Sequence, residues 1–193
     1  MANAVDHLLT DVPGPGFRAP DARERGAGIR LLALDVDGTM TDGTIWIGPS
    51  SETMKGFSVR DGFGLALLRE AGVRLAIITG RESSIVAVRA AELKFDAVVQ
   101  RCPDKAQALK DLARRFACTP EQVAYMGDDW PDLPALALAG LAAAPADAAV
   151  PVRAAAHWVS TSPAGHGAVR ELAEYLIEAQ GQLQALLARH RGG

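Results

Sequence analysis

The sequence predicts a three-layer α/β fold, with a central parallel sheet, helices packed against it and a β-hairpin inserted early in the chain. Three observations carry that prediction. Short apolar runs alternate with helical segments along most of the chain, the pattern of parallel strands joined by crossover helices. Of the 193 residues, 49% are apolar but only 5% are aromatic, and Ala, Leu and Val make up the difference. Such a core suits helices on a buried sheet better than two sheets face to face. The polar clusters fall just after the apolar runs, at the strand ends where sheets of this kind bind ligands.

Each element follows from local signals. Residues 1–28 hold Pro13, Gly14, Pro15, Gly16 and Pro20, then a charged patch from Asp21 to Arg25, and are expected to form a flexible tail. Residues 29–34 read as a buried strand. Residues 42–58 alternate around a Gly48-Pro49-Ser50 turn and read as a hairpin. Residues 61–71 form a helix closed by Gly72, and 73–78 a second strand. A helix over 82–93, a short strand over 97–99 and a helix over 103–117, with Pro103 in its first turn, come next. Strands are expected at 123–126, 141–144 and 157–159, with a short helix over 131–139. One last helix spans 167–188, carrying Leu172, Leu176, Ile177, Leu183 and Leu187 at helical spacing. The domain thus covers 29–180, and 181–193 is the end of the last helix and a tail.

The bulk numbers exclude several classes. Net charge is −3, so nothing draws the whole molecule to nucleic acid or to an anionic membrane. No apolar run approaches the roughly 20 residues of a membrane span. The N-terminus has no basic stretch leading an apolar one, so no signal peptide is expected and the cytoplasm is the default compartment. Cys102 and Cys118 match no metal spacing, have no neighbouring His in sequence, and read as reduced thiols.

The chemistry concentrates in four places. Asp35 and Asp37 stand two residues apart on a Gly turn after the first buried strand. One can attack an electrophile while the other gives and takes a proton, as transfer through an aspartyl-phosphate requires. Two carboxylates facing a phosphate repel it, so a cation is needed. Asp128 and Asp129, after Tyr125-Met126-Gly127, answer that need. Mg²⁺ on Asp35, Asp128 and the main-chain carbonyl of Asp37 suits a hard cation. Asp132 reads as a surface or supporting position. Thr79-Gly80 ends the second strand as a phosphate cradle, and Lys105 at a helix start offers positive charge. Taken singly, each has a plainer reading: turn carboxylates, an acidic helix start, a common turn, a surface lysine.

In this order and at these strand ends, Asp35-Val36-Asp37-Gly38-Thr39, Ile77-Ile78-Thr79-Gly80, Lys105 and Gly127-Asp128-Asp129 resemble the four motifs of the haloacid dehalogenase (HAD) superfamily over residues 29–145. Lys55 to Gly64 after a hairpin, Arg81, Tyr125 to Asp132 and Ala164 to Glu171 extend the likeness over about 29–180. There the chain is similar to the 3-deoxy-D-manno-octulosonate 8-phosphate (Kdo8P) phosphatases. That resemblance implies an HAD-like Rossmannoid fold with no large cap domain, and Mg²⁺-dependent phosphoester hydrolysis serving lipopolysaccharide precursor synthesis. It also implies a homotetramer in which hairpins from four subunits meet and a neighbouring subunit completes each site. Carried over by residue, Asp35 is the nucleophile and Asp37 the acid/base. Mg²⁺ sits on Asp35, Asp37 and Asp128. Thr79 and Lys105 hold phosphate. Ser58, Val59, Arg60, Asp61, Gly62, Arg81 and Arg89 meet the substrate. Guanidinium groups suit a sugar acid's carboxylate.

Two positions depart from that pattern. Ala66 stands where a Lys or Arg is common, and His166 where the tail often has Arg. Phosphatases of nine-carbon sialic-type acid 9-phosphates, or of another small phosphoester, are therefore the competing readings, and a non-catalytic binding protein on the same scaffold is the third. Trp46 on the hairpin is expected to pack on another subunit, Trp130 to line the site and Trp158 to be core.

Overall fold

β1 (Leu31–Leu34) is apolar and buried at every position, as a strand covered on both faces must be. A computed structural model, which describes residues 12–49 and 51–192, places it at the centre of a six-stranded parallel sheet. The strand order is β5-β4-β1-β6-β7-β8, with β4 Arg74–Ile78, β5 Ala97–Val99, β6 Val123–Met126, β7 Leu141–Ala144 and β8 Trp158–Val159. Successive side chains alternate between the two faces, which makes two apolar layers. Leu32, Leu34, Leu75, Ile77, Met126 and Trp158 face one side. Leu31, Ala33, Ile78, Val123, Tyr125 and Val159 face the other. The chain thus adopts the expected three-layer α/β fold.

The first layer is covered by α2 (Val59–Glu70), α3 (Ser84–Glu92), α7 (Ala168–Ala179) and α8 (Leu183–His190), through Leu65, Leu68, Val86, Leu172, Leu176 and Leu186. The second is covered by α4 (Lys105–Arg115), α5 (Leu133–Leu136) and α6 (Val150–Ala155), through Leu109, Leu112, Leu136 and Val152. Small strand residues, Ala33, Ala76, Ala142 and Ala144, let the helices approach that face. β2 (Trp46–Ile47) and β3 (Glu52–Met54) pair antiparallel as the separate hairpin. Trp46, Ile47 and Met54 are 55%, 77% and 54% exposed on it. Among the described residues, no helix is long and apolar enough to cross a membrane.

Three expectations need correction. Residues 1–11 lie outside the described residues, but residues 16–27 pack on the domain instead of trailing from it. Gly16 N–H donates to Ser160 O at 3.1 Å, Val159 N–H to Phe17 O at 3.0 Å and Ala19 N–H to His157 O at 2.8 Å, so this strap runs antiparallel along β8. Arg18 lies over the Trp158 ring at 4.1 Å and donates to the Val159 carbonyl. α1 (Ala22–Ala27) then packs on α7, where Gly26 leaves room for Tyr175 and Ala179. Proline and charge suggested a tail, yet the strap is held by backbone bonds that composition does not reveal.

The last helix is two helices. Gly181, at φ +70°, takes the left-handed turn that ends α7, and α8 folds back so that Arg189 reaches Glu70 of α2 at 2.8 Å. Finally, α6 was not expected at all. It occupies six residues of an Ala-rich stretch with Pro in its first turn, too few to show a period.

Candidate active site

Parallel strands end together, so the sheet delivers its chemistry to one edge. Leu34 pairs with Ile77 and with Met126, which carries Asp35, Thr79 and Gly127-Asp128 just past the ends of β1, β4 and β6. Asp35 N–H donates to Met126 O at 3.0 Å. The chain then turns sharply: the Val36 carbonyl accepts from the N–H groups of Thr39, Met40 and Thr41. Gly38 makes the turn at φ +86°, and a Cβ there would overlap the Asp128 carboxylate. Asp37 comes out of this turn with its carboxylate partly open to solvent, while Asp35 is 5% exposed.

α4 begins at Lys105, after Asp104 caps it by accepting Gln107 N–H at 2.9 Å. The Lys105 ammonium donates to Asp35 Oδ1 at 2.7 Å and to Asp132 Oδ1 at 2.6 Å. Burial opposes that charge, but Asp35 and Asp132 outweigh it and raise the Lys105 pKa. The positive charge expected from Lys105 therefore stands against Asp35.

Asp132 is not a surface residue. It is 1% exposed, and every lone pair is used: Oδ1 accepts from Lys105 and from Tyr125 OH at 2.6 Å, Oδ2 from the N–H groups of Asp128 and Asp129 at 3.1 and 3.2 Å. Gly127 allows this, since a Cβ there would lie 2.6 Å from Asp132 Cβ. Asp35, Asp128 and Asp132 lie close enough to share a metal ion. Asp132, saturated by four donors, acts instead to fix Lys105 and the Asp128 loop. Asp129 turns outward and caps the following turn through Trp130 N–H.

The electrostatics show what the site favours. Burial first, and then the charge of Asp132, push the Asp35 carboxyl up to about 6. Burial, and then Asp35, push Asp128 up to about 7, and the nearest relief is a hydroxyl, Thr39 Oγ1 at 3.2 Å. A buried and a half-buried carboxyl with oxygen atoms this close, of which Lys105 pairs with Asp35 and not with Asp128, fit a hard divalent cation.

Thr79 is 3% exposed at the end of β4, its N–H bonded to Val99 O at 2.9 Å. Arg81 stands half exposed with Nε 3.6 Å from Asp37 Oδ2. Val59 and Arg60 project outward at the start of α2, and Ser58 caps that helix by accepting Asp61 N–H. Three residues expected to meet substrate are occupied elsewhere. Asp61 is 4% exposed and accepts Gly167 N–H at 3.3 Å and Arg170 N–H at 2.8 Å, so it caps α7. Arg89 pairs with Glu92 at 2.7 Å and donates to Ser58 O at 3.3 Å. Gly62 is buried, and a Cβ there would strike Arg89. These three build the Ser58–Arg60 turn from behind. The Gly-rich tail reaches the same region: Gly165, at φ +67°, lies so close that a Cβ would be 2.6 Å from Asp42 N. His166 is exposed there, with Nδ1 2.9 Å from Ala164 O.

Lys55 had no role in the sequence-based reading. Its side chain is fully covered and pairs with Asp37 and with Glu52 at 2.7 Å. A lone cation just past a short strand gives no sign that its partner stands 18 residues away.

Comparison with known proteins agrees with this geometry. The model of the haloacid dehalogenase-like hydrolases matches residues 57–140. The chain is 43% identical over 166 residues to the 3-deoxy-D-manno-octulosonate 8-phosphate phosphatase of Yersinia pestis, covering 86% of this chain and 89% of that protein. It is 41% identical over 163 residues to the enzyme of the same name from Escherichia coli (strain K12), covering 84% and 87%. It is also similar to the crystal structure of that phosphatase from Moraxella catarrhalis in complex with magnesium ion, phosphate ion and a KDO molecule. There the TM-score is 0.85 and the identity 38%, over 88% of this chain and 98% of the other.

Proposed function

Because this chain belongs to the haloacid dehalogenase-like hydrolases, we propose that it hydrolyses 3-deoxy-D-manno-octulosonate 8-phosphate to 3-deoxy-D-manno-octulosonate and phosphate, with Mg²⁺, in lipopolysaccharide precursor synthesis. One observation carries the proposal. Asp35 is buried, held by Lys105 at 2.7 Å and crowded by Asp128, with Asp37 two residues beyond on an open turn.

In the first step Asp35 attacks phosphorus, the bond from phosphorus to the sugar oxygen breaks, and Asp37 gives that oxygen its proton. In the second, Asp37 takes a proton from water, whose oxygen attacks phosphorus and releases Asp35 as a carboxylate. Lys105 neutralises Asp35 and, with the Thr79 hydroxyl, holds the phosphate oxygens. Asp35, Asp128 and the Asp37 carbonyl would hold Mg²⁺, which supplies the positive charge that lets a carboxylate approach a phosphate dianion. Arg81, with the Ser58–Arg60 turn of a neighbouring subunit, faces the sugar acid.

The exposed Trp46, Ile47 and Met54 support a homotetramer joined through hairpins, in which Arg60 of one subunit covers the site of the next. Its place is the cytoplasm, and its partner a small phosphorylated sugar acid. The test is phosphate release with Mg²⁺ from Kdo8P, a nine-carbon sialic-type acid 9-phosphate and common sugar phosphates. Preference for Kdo8P is the expected result. Preference for another ester, lost in EDTA, would keep the chemistry and discard the substrate.

A further inference from the structure

The base of the hairpin is wired into the site. Lys55 follows β3 and turns under it, so that none of its side chain reaches solvent. A fully covered ammonium is unfavourable unless anions surround it. Two do: Asp37 through Oδ1, and Glu52 through Oε1 at 2.7 Å. Glu52 in turn accepts Ser83 Oγ at 2.6 Å, and Ser83 is the residue that caps α3. Arg81 closes the ring, 3.6 Å from Asp37 Oδ2 and 4.0 Å from Glu52 Oε1. Asp37 itself sits on a turn with a partly exposed carboxylate, and this ring is what gives that carboxylate a fixed direction.

We propose that Lys55 is a positioning residue: by gripping Oδ1 of Asp37 it aims Oδ2 at the leaving oxygen of the substrate, and Glu52 and Ser83 hold Lys55 in place. The inference rests on Asp37 being the acid/base. Proton transfer is sensitive to the direction of the donor oxygen, so a loosened Asp37 fails most where the leaving group needs a proton most.

The experiment is kcat/KM for the wild type, Lys55→Met, Lys55→Arg and Glu52→Gln. The substrates are two phosphate monoesters, a sugar phosphate and 4-nitrophenyl phosphate, whose phenolate departs without a proton. Lys55→Met is expected to lose roughly 10²-fold on the sugar phosphate and less than about threefold on the nitrophenyl ester. Lys55→Arg is expected to recover most of the loss. Glu52→Gln is expected to show the same selective loss, smaller, and decides the matter if Lys55→Met does not fold. Equal losses on both esters, or none, would overturn the positioning role while leaving the phosphatase intact. A wild type inactive on both esters would instead remove the phosphatase assignment, and the role of Lys55 with it.

Discussion

Asp35 is held between two demands. As the proposed nucleophile it has to be charged, yet it is buried beside Asp128 and Asp132. Asp35→Asn is expected to cut phosphate release by ~10⁴-fold or more, while the chain still folds and binds ligand with Mg²⁺. Retained turnover would remove Asp35 as nucleophile. The same crowding sets a pH dependence. Asp35 and Asp128 are raised from 3.8 to about 6 and about 7, so between those values the metal-free folded chain holds protons that the unfolded chain has released. Their contribution to stability is present below about pH 4 and is lost as pH rises towards 7. Mg²⁺ held by these two carboxyls, as proposed, would relieve the repulsion, so the gain in Tm from Mg²⁺ over EDTA is expected to be larger at pH 8 than at pH 5, by thermal unfolding. A gain that shrinks with pH would contradict the assignment of these two carboxyls. At this scale the sequence was most legible where spacing is short. Asp35 and Asp37 are read from one pentapeptide, and Asp128 from the next strand end. Lys55 was not, and Asp132 was left between a surface and a supporting position, because what defines them is a partner brought close by the fold, Asp37 for one and Lys105 for the other.

Among the elements, α2 and α7 form the largest helix contact, and Asp61 fastens it by capping α7 from within α2. Asp61→Ala leaves the Gly167 and Arg170 N–H groups without that acceptor and is expected to cost about 1–2 kcal/mol in denaturant unfolding. A change within error would mean that solvent satisfies those groups. The core strands were legible because apolar runs bounded by Gly or Asp leave little choice. Helix ends fell a residue or two from the expected places, since a cap is a local bond, not a pattern: Ser58, Ser83 and Asp104 each set the start of their helix by accepting an N–H. The break at Gly181 was hidden for another reason. A single Gly is tolerated inside a helix, and the apolar spacing runs on through it.

For the whole molecule, the hairpin is the exposed apolar surface. Trp46→Asp together with Ile47→Asp is expected to shift light scattering from a tetramer to smaller species and to lower turnover, if Arg60 completes a neighbour's site. A wild-type monomer would end that arrangement. The hairpin's exposure was legible in the sequence, since β2 and β3 have no core of their own, but the match of two surfaces is not written in either. The strap over β8 has a different kind of consequence. An outermost strand is a template on which another chain can add itself, and residues 16–19 occupy that template with the protein's own backbone. A version trimmed to begin at residue 29, where sequence composition alone would draw the boundary, would keep its chemistry on paper and lose its solubility in the tube.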